Sequence, residues 1–467
     1  GFLDIGSVSL DASGQGGDGG DAIFGPGGRG GDGLGGLAQA GSFFGNGDGS
    51  VAQGDVTFGA VSAFSDGIGG DGGFNVETES VTGDGGDGSA GGAFLTGRLG
   101  TVDTGTVSLT ARGFGGLGNT GGAAFGGFAE ATGTDGVTMS TGTVITNADA
   151  FGGDSFGFDS TGGEATAGES SITTERGGVL SAGALNASAV ATGGNGFNGG
   201  AATAGEAGVL SASGSITVGS VTAVAGATGG DATIGFGGRG GDAFGGTVGT
   251  SAEASDGAPA SITVTGDTSL TMNVVGGVGG AGDGETIAAG QGGDAFGAMF
   301  DPIEGRGGLL VVANADGGTL NFSGIVDASQ NVTGGQGGND LDGGVGGDGG
   351  NATGGTILVG TFDPPGGATI GNGSLGFGML TAISGQTTGG SGGTGDIRLG
   401  DGGDAIGGAA ILQIPAGSIT ALGDISVFED IIGGAGSIGG SATGGIAMLT
   451  LGEGTLLDGS FVEIATQ

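Results

Sequence analysis

Short runs in which apolar and small polar residues alternate recur along the whole chain. Examples run from Gly105 to Leu109, from Gly214 to Val218 and from Gly318 to Phe322. Period-two alternation of Val, Ile, Leu or Phe with Ser and Thr is typical of β-strands. Helical spacing is nowhere sustained, and glycine is too frequent for helix interiors. The pattern therefore predicts an all-β protein.

Glycine-rich blocks separate these runs and contain much of the chain's 135 glycines. Each block ends in a small residue, and these anchors recur on average about every 42 residues, an interval typical of repeat proteins. The interval predicts one continuous array over residues 1–467, with about ten to eleven degenerate units and no separate globular domain. The anchors are Ala22, Ala90, Ala124, Ser155, Ala201, Ala243, Ala295, Ala352, Ala405 and Ala442.

Repeated short strands with glycine-rich punctuation favour an elongated parallel β-solenoid, or β-helix. We expect each repeat of about 42 residues to form two rungs of about 21, which gives a rod roughly 100 Å long at a strand spacing of about 4.8 Å. The 24 Phe, with no Tyr or Trp, are expected to point inward and stack in buried ladders. An antiparallel sandwich array is the alternative, because glycine blocks are also common in hairpin turns.

Three roles fit the glycine blocks themselves. They could be sharp turns at the corners of rungs, or polyglycine-II-like segments with three residues per turn. The third role is ionic, because the block from Gly27 to Leu34 fits the calcium-binding nonapeptide GGxGxDxU of RTX proteins. No cofactor is required in this interpretation, but calcium is a candidate ligand of carboxylate oxygens. The candidate metal residues are Asp18, Asp21, Asp32, Asp242, Asp294 and Asp404.

The amino-acid composition argues against several classes of function. The net charge of −41, with seven cationic residues against 48 acidic ones, predicts that the chain does not bind nucleic acid. The same charge attracts divalent cations, and no apolar run is long enough to predict membrane insertion. The chain has no His, Cys, Lys or Tyr, which removes most nucleophile–base pairs. We therefore expect a protein that is not an enzyme.

Blocks such as the one from Gly240 to Gly246, interleaved with strands such as the one from Gly214 to Val218, resemble a known group. They are similar to the glycine-rich β-strand-repeat exoproteins of Gram-negative bacteria, including autotransporter passengers and filamentous haemagglutinin-like adhesins. The resemblance implies a secreted right-handed β-helix at the cell surface or outside the cell. A weaker resemblance is to the RTX calcium repeats.

Two functions follow as hypotheses. The first is a structural protein that forms or decorates an extracellular fibre or sheath, such as a biofilm matrix, by end-to-end or lateral association with itself. Its basis is strand-like sequence at both ends, from Gly1 to Ile5 and from Phe461 to Ile464, because open strand edges invite another copy to add. The alternative is an adhesin that binds a host, glycan or ice surface and is stabilised by calcium. Its candidate binding loops are the irregular segments 300–306 and 362–365.

Overall fold

The protein, in a computed structural model, is a parallel β-solenoid with three sheets around one core. The structure describes residues 2–42, 54–233, 237–254, 258–283, 288–297, 309–315, 317–340, 344–360, 373–378, 381–414, 416–452, 455–458 and 461–467. These residues contain no helix. The segments 300–306 and 362–365 lie outside the described residues.

Sheet 1 has 21 strands, because a rung crosses it either as one long strand or as two or three shorter ones. Its strands are Phe2–Ile5, Val8–Asp11, Gly14–Gln15, Gly54–Phe64, Gly67–Ile68, Gly100–Thr110, Gly113–Phe114, Thr138–Asn147, Ala150–Phe151, Val179–Thr192, Ser215–Thr228, Ser261–Val264, Thr268–Val275, Thr319–Phe322, Val326–Thr333, Gly373–Phe377, Thr381–Thr388, Gly417–Ala421, Ile425–Ile432, Leu456–Asp458 and Val462–Thr466.

Sheets 2 and 3 have ten strands each. The strands of sheet 2 are Gly33–Leu34, Gly88–Ser89, Ala124–Phe125, Ala165–Thr166, Ala202–Thr203, Ala243–Phe244, Ala295–Phe296, Ala352–Thr353, Ala405–Ile406 and Ala442–Thr443. Those of sheet 3 are Leu37–Ser42, Gly92–Arg98, Phe128–Thr134, Glu169–Glu175, Glu206–Ala212, Thr247–Glu253, Leu309–Asn314, Thr356–Gly360, Ala409–Ile414 and Ile446–Leu451.

Each repeat forms one rung, so the prediction of two rungs per repeat is wrong. Paired residues in neighbouring rungs lie between 36 residues apart (Val179 with Ser215) and 63 residues apart (Ser251 with Asn314). We number the rungs 1 to 11 by their first strand in sheet 1, from Phe2–Ile5 to Leu456–Asp458. Ten steps of about 4.8 Å give a stack about 48 Å high, half the predicted length.

The strands of the three sheets pair in parallel in the described residues, which makes the antiparallel alternative wrong. The antiparallel pairings there are a small hairpin, Phe74–Asn75 with Ser80–Val81, and an isolated bridge between Glu253 and Gly317. The core consists of inward columns of aliphatic residues, such as Val102, Val107 and Leu109, all fully buried. Each fully buried side chain of this size contributes about 1.5–3 kcal/mol.

A glycine-rich projection leaves sheet 1 in rungs 1 to 10, runs outward, turns back and enters sheet 2. We call it the fin, and its described residues are 16–32, 69–87, 115–123, 152–164, 193–201, 229–233, 237–242, 276–283, 288–294, 334–340, 344–351, 389–404 and 433–441. Its outgoing and returning layers are joined by backbone hydrogen bonds, as from the Gly122 N–H to the Gly116 carbonyl oxygen (2.9 Å). The Gly116 N–H in turn donates to Gly86 of the rung before (2.9 Å).

The fin is polyglycine-II-like, which decides between the two structural roles of the glycine blocks. Among its described glycines only Gly25 and Gly237, at the turns, have positive φ. Most of the others are needed because they lack a side chain: a Cβ on Gly116 or Gly122 would collide with a carbonyl oxygen of an earlier rung. The residue that follows two glycines faces outward, as expected for three residues per turn.

The predicted anchors are only partly in register. Ala124, Ala243, Ala295, Ala352, Ala405 and Ala442 share one column of sheet 2. Ala22 and Ser155 lie at the tip of the fin, Ala90 follows its sheet 2 strand, and Ala201 precedes its own by one residue. The glycine blocks differ in length from rung to rung, so the small residue chosen as the anchor does not fall at the same structural position in these rungs.

The phenylalanines form ladders, but most of the described ones are not buried. Phe322 and Phe377 are 2% exposed and stack with ring centres 5.6 Å apart. Phe244 and Phe296 also stack, at 5.1 Å, yet they are 38% and 37% exposed. The inward positions of the narrow sheet 2 are Gly or Ala, so the adjacent Phe faces outward.

Candidate functional site

The acidic residues of the fin form ladders that run along the stack. On the outgoing side, Asp18 Oδ1 accepts the Asp71 N–H (3.1 Å) and Asp71 Oδ1 accepts the Leu117 N–H (2.9 Å). On the returning side the ladder passes from Asp242 to Asp294 (2.8 Å), Asn351 (2.7 Å), Asp404 (2.9 Å) and Ser441 (2.7 Å). Each of these side chains accepts a hydrogen bond from an outward-facing backbone N–H of the following rung. These bonds supply the partner that a backbone N–H donor needs.

The six predicted metal residues are all members of these ladders, but they do not form one cluster. Asp32, Asp242, Asp294 and Asp404 occupy the same column on the returning side, in rungs 1, 6, 7 and 9. Asp18 and Asp21 lie on the outgoing side, where Asp21 Oδ1 accepts the Phe74 N–H (2.9 Å). Asp18 and Asp32 therefore face away from each other across the fin, although they are close in sequence.

Arginines bridge three of the ladder positions on the returning side. Arg239 contacts Asp242 at 2.7 Å and Asp294 at 2.8 Å. Arg29 makes the same contact with Asp32 at 2.9 Å. Arg398 contacts Asp401 at 2.6 Å. The spacing of three residues equals one turn of the fin, so both side chains project from the same face.

Hydrogen bonds and charge pairing favour ionised carboxylates in the fin. The amide of Asp87, and then the side chain of Arg29, lower the pKa of Asp32. The Arg398 guanidinium lowers the pKa of Asp401. Within the described ranges, no three acidic side chains converge in a way that could hold a metal ion. Specific calcium binding therefore stays a prediction, and the arrangement can attract cations along its whole length.

The sequence analysis missed a regular hydroxyl surface on sheet 1. Its first strands place Ser and Thr outward in two columns, and parallel pairing brings them into register over successive rungs. The members in the middle of the stack are Thr138, Ser140, Ser181, Ser215, Thr217, Ser261 and Thr263, and Val179 interrupts the first column in rung 5. The Gly-x-Val/Ile-x-Val pattern could have revealed this surface, because its x positions alternate with core positions.

The core also contains a buried carboxyl that the sequence analysis missed. Glu429 is 1% exposed, and its Oε1 accepts hydrogen bonds from the Thr387 hydroxyl and the Gly408 N–H, both at 2.8 Å. Burial raises the pKa of Glu429, against the effect of these two hydrogen bonds. Its sequence neighbours Phe428 and Asp430 give no sign that this acid points inward.

Comparison with protein-family models, with curated proteins and with solved structures finds no match to this chain. Across the described part of the chain, no helix has the length and apolar character needed to span a bilayer.

Proposed function

We propose that this protein is a secreted structural repeat protein that forms or decorates an extracellular fibre or sheath by associating with copies of itself. The observation that supports this proposal is the parallel stacking of the rungs, because the apolar columns of such a core can continue from one copy into another. Leu3 and Leu449 are 45% and 48% exposed, although their partners in the adjacent rung, Val56 and Leu412, are 2% and 0% exposed. A second copy that stacks on these strands would bury both side chains in the same way.

Charge opposes this association and makes it dependent on cations. Each chain carries a net charge of −41, so stacked copies repel one another at low ionic strength. Divalent cations along the acidic ladders would relieve the repulsion without specific sites. Secretion itself is supported by the resemblance to bacterial exoproteins.

Electron microscopy of the purified 467-residue chain, with and without calcium, tests the proposal. We expect filaments that lengthen with calcium. Leu449→Lys should abolish them, because it places a charge in the open core, whereas Met448→Lys on the same strand should not. Met448 pairs with Ile411 in an outward column, so it serves as the matched control. Monomers under both conditions would refute end-to-end assembly.

The hydroxyl surface of sheet 1 favours a second candidate function, the adhesin. Its Ser and Thr columns are about 4.8 Å apart between rungs, and such a lattice suits an ordered hydroxylated surface, a glycan or ice. Replacing Thr217 and Thr263 by Lys should abolish retention on such a surface. The matched change of Thr247, on sheet 3, should have no effect. Equal retention of both variants would exclude this surface.

A further inference from the structure

The outward column of sheet 2 carries no charge, although the chain as a whole has 48 acidic residues. Each of rungs 1 to 10 contributes one residue to it, and parallel pairing holds these ten residues in register. Depletion of charged side chains distinguishes the centre of a protein interface from the remaining surface. In chain order the column is Leu34, Ser89, Phe125, Thr166, Thr203, Phe244, Phe296, Thr353, Ile406 and Thr443.

Large apolar and small hydroxyl side chains occupy this column in a particular order. Rungs 1, 3, 6, 7 and 9 carry Leu, Phe or Ile, whereas rungs 2, 4, 5, 8 and 10 carry Ser or Thr. The second half of the column is therefore the reverse of the first half with large and small exchanged. The large side chains are between 37% and 70% exposed, so they stand above the hydroxyl side chains between them.

We propose that two copies of this chain pair through sheet 2, antiparallel, about a two-fold axis that runs along the strands between rungs 5 and 6. Rung 1 of one copy then faces rung 10 of the other, and in all ten rungs a large apolar side chain meets a Ser or Thr. Any other position of this axis leaves rungs unpaired. A two-fold axis along the stack would set each rung against its own equivalent, so large side chains would meet in five rungs. A two-fold dimer requires such a self-complementary patch.

The strongest contacts of this pairing lie next to the axis. The stacked rings of Phe244 and Phe296, with centres 5.1 Å apart, form one broad ridge in rungs 6 and 7. This ridge faces Thr203 and Thr166 of the second copy, whose methyl groups pack against the rings. The axis repeats the contact, so two ridges flank the centre of the interface, where aromatic side chains contribute most to binding.

The exposed area predicts a reversible dimer. A large side chain has about 150–250 Å² of surface, so the five large residues at their observed exposures present about 500 Å² per copy. The two copies together bury about 1,000 Å², which is near the lower limit for a specific interface.

The acidic ladder beside sheet 2 permits this approach. It lies two residues before the column, and the same axis sets its members opposite one another. Acids meet acids in rungs 2 and 9 and in rungs 4 and 7, and the other three kinds of pair combine an acid or Asn with Ala or Ser. Where acids meet, an arginine already contacts one of the two carboxylates: Arg29 lies 3.5 Å from Asp87, and Arg239 lies 2.8 Å from Asp294.

A comparable uncharged column at the end of sheet 1 lacks this order of sizes. Phe114 and Phe151 stack there with ring centres 5.3 Å apart, and Phe151 is 36% exposed. The same axis would set Phe151 opposite Val275 and Thr192 opposite Thr228. The complementary order therefore belongs to sheet 2, and Phe151 offers a matched control for Phe244.

This pairing deepens the proposed self-association and rests on it, but it uses the side of the rod and not its ends. The Leu449→Lys background separates the two contacts, because this change should block end-to-end growth. Sedimentation equilibrium of that variant in about 0.15 M salt, where screening limits repulsion, should report a dimer of twice 42.5 kDa. Monomer at about 1 mM, where even weak complexes form, overturns the pairing and leaves the filament result of Leu449→Lys unaffected.

An exchange of sizes across the interface tests which rungs face each other. In the same background, Thr166→Phe should raise the dissociation constant about tenfold or more, because it sets a second large ring against Phe296 of the other copy. Adding Phe296→Thr should restore the dissociation constant to within about threefold, since the large and small residues have changed places. Failure of the double variant to recover would overturn the pairing of rung 4 with rung 7. Circular dichroism verifies that both variants retain their β-structure.

A charge near the axis should also weaken the dimer. Phe244→Asp should raise the dissociation constant about tenfold or more, as expected for a central aromatic side chain. Phe151→Asp should leave it unchanged, because Phe151 has nearly the same exposure as Phe244 and also belongs to a stacked pair, but lies on sheet 1. Equal dissociation constants for the two variants would overturn the assignment of the interface to sheet 2.

Cross-linking distinguishes antiparallel from parallel pairing, since the chain has no cysteine of its own. Facing sheets lie about 10 Å apart, so a short bismaleimide can join cysteines in facing or adjacent rungs. Thr203→Cys, next to the axis, should therefore give a cross-linked dimer alone. Thr443→Cys should not, because nine rungs, or about 43 Å, separate it from its equivalent in the other copy. A cross-linked dimer of Thr443→Cys alone would show parallel pairing and would overturn the two-fold arrangement.

Discussion

Glycine acts in the fin through the absence of a side chain. The two layers and successive rungs approach so closely that a Cβ on most of the fin glycines would meet a backbone atom. The sequence analysis left turns and polyglycine-II segments open, because both need glycine. The Gly-Gly-Asp triplets could indicate the period of three, but not which glycine contacts which layer, since that depends on pairing across rungs.

We predict that Gly153→Ala destabilises the protein by about 3 kcal/mol, near the upper end for overpacking. The added methyl would collide with the Gly116 carbonyl. Gly17 occupies the same position of rung 1, where an added Cβ would have no other atom within 4 Å, so Gly17→Ala should be neutral or stabilise by about 0.4–1 kcal/mol. Urea midpoints measure the difference. Equal losses at both glycines would contradict the close-packing explanation.

The fin aspartates were predicted as metal ligands, and the structure gives them a hydrogen-bonding role that the calcium motif did not reveal. An acceptor in one rung meets a donor between 36 and 57 residues later, so no local spacing indicates the pair. The presence of Asn195 and Asn351 in the same ladders supports this role, because an amide oxygen accepts the same bond without charge.

We therefore predict that Asp231→Asn retains stability and that Asp231→Ala loses about 1 kcal/mol. Asp231 Oδ1 accepts the Val278 N–H at 2.8 Å, and only the amide variant preserves that acceptor. Hydrogen exchange of the Val278 amide provides a local measurement, with faster exchange expected in the alanine variant. Unchanged exchange would show that this bond does not protect the amide.

Glu429 makes stability depend on pH. Its folded pKa is raised above the ordinary value of 4.5, so the folded state binds the proton more tightly than the unfolded state does. Stability therefore falls as the pH rises from about 4.5 through the folded pKa. We predict that Glu429→Gln is more stable than the wild type at pH 7.5 and that the gain disappears near pH 4. A gain that is independent of pH would exclude burial of the charge as its cause.

At the level of elements, the sequence predicted strands and their parallel stacking but not the size of a rung. Alternation fixes which residues face inward, and this was visible in segments such as Gly105 to Leu109. The number of residues in a rung depends on the fin, which has no strand pattern and takes up a third or more of many repeats. The fin can vary in length without disturbing the core. Because of this variation, the anchors predicted from the sequence do not all fall at the same position of the rung.

The buried and the exposed phenylalanine ladders should contribute differently to the free energy of unfolding. Phe377→Ala should cost about 3–5 kcal/mol, because Phe377 is buried against Phe322. Phe296→Ala should cost only about 1 kcal/mol, since its stacked ring is partly solvated. Thermal unfolding of the two variants measures both. Similar costs would mean that the surface ladder is buried in a larger assembly.

At the level of the whole molecule, the acidic charge is distributed along the fin and is only locally balanced by Arg29, Arg239 and Arg398. The chain must overcome this self-repulsion to fold, and the proposed self-association would have to overcome it as well. A cation can assist in two ways: as a diffuse atmosphere, which any divalent ion supplies, or at specific oxygen sites, which distinguish calcium from magnesium by size and coordination number.

We predict that calcium and magnesium raise the unfolding temperature to the same extent, and that sodium chloride does so at higher concentration through screening. The reason is that the described ladders offer separate carboxylates, already engaged with amides, and no converging set of three. Thermal scans at matched ionic strength measure the effect, and Asp242→Asn tests the best-bridged ladder position. An increase specific to calcium that Asp242→Asn removes would instead show a true calcium site on the returning side of the fin.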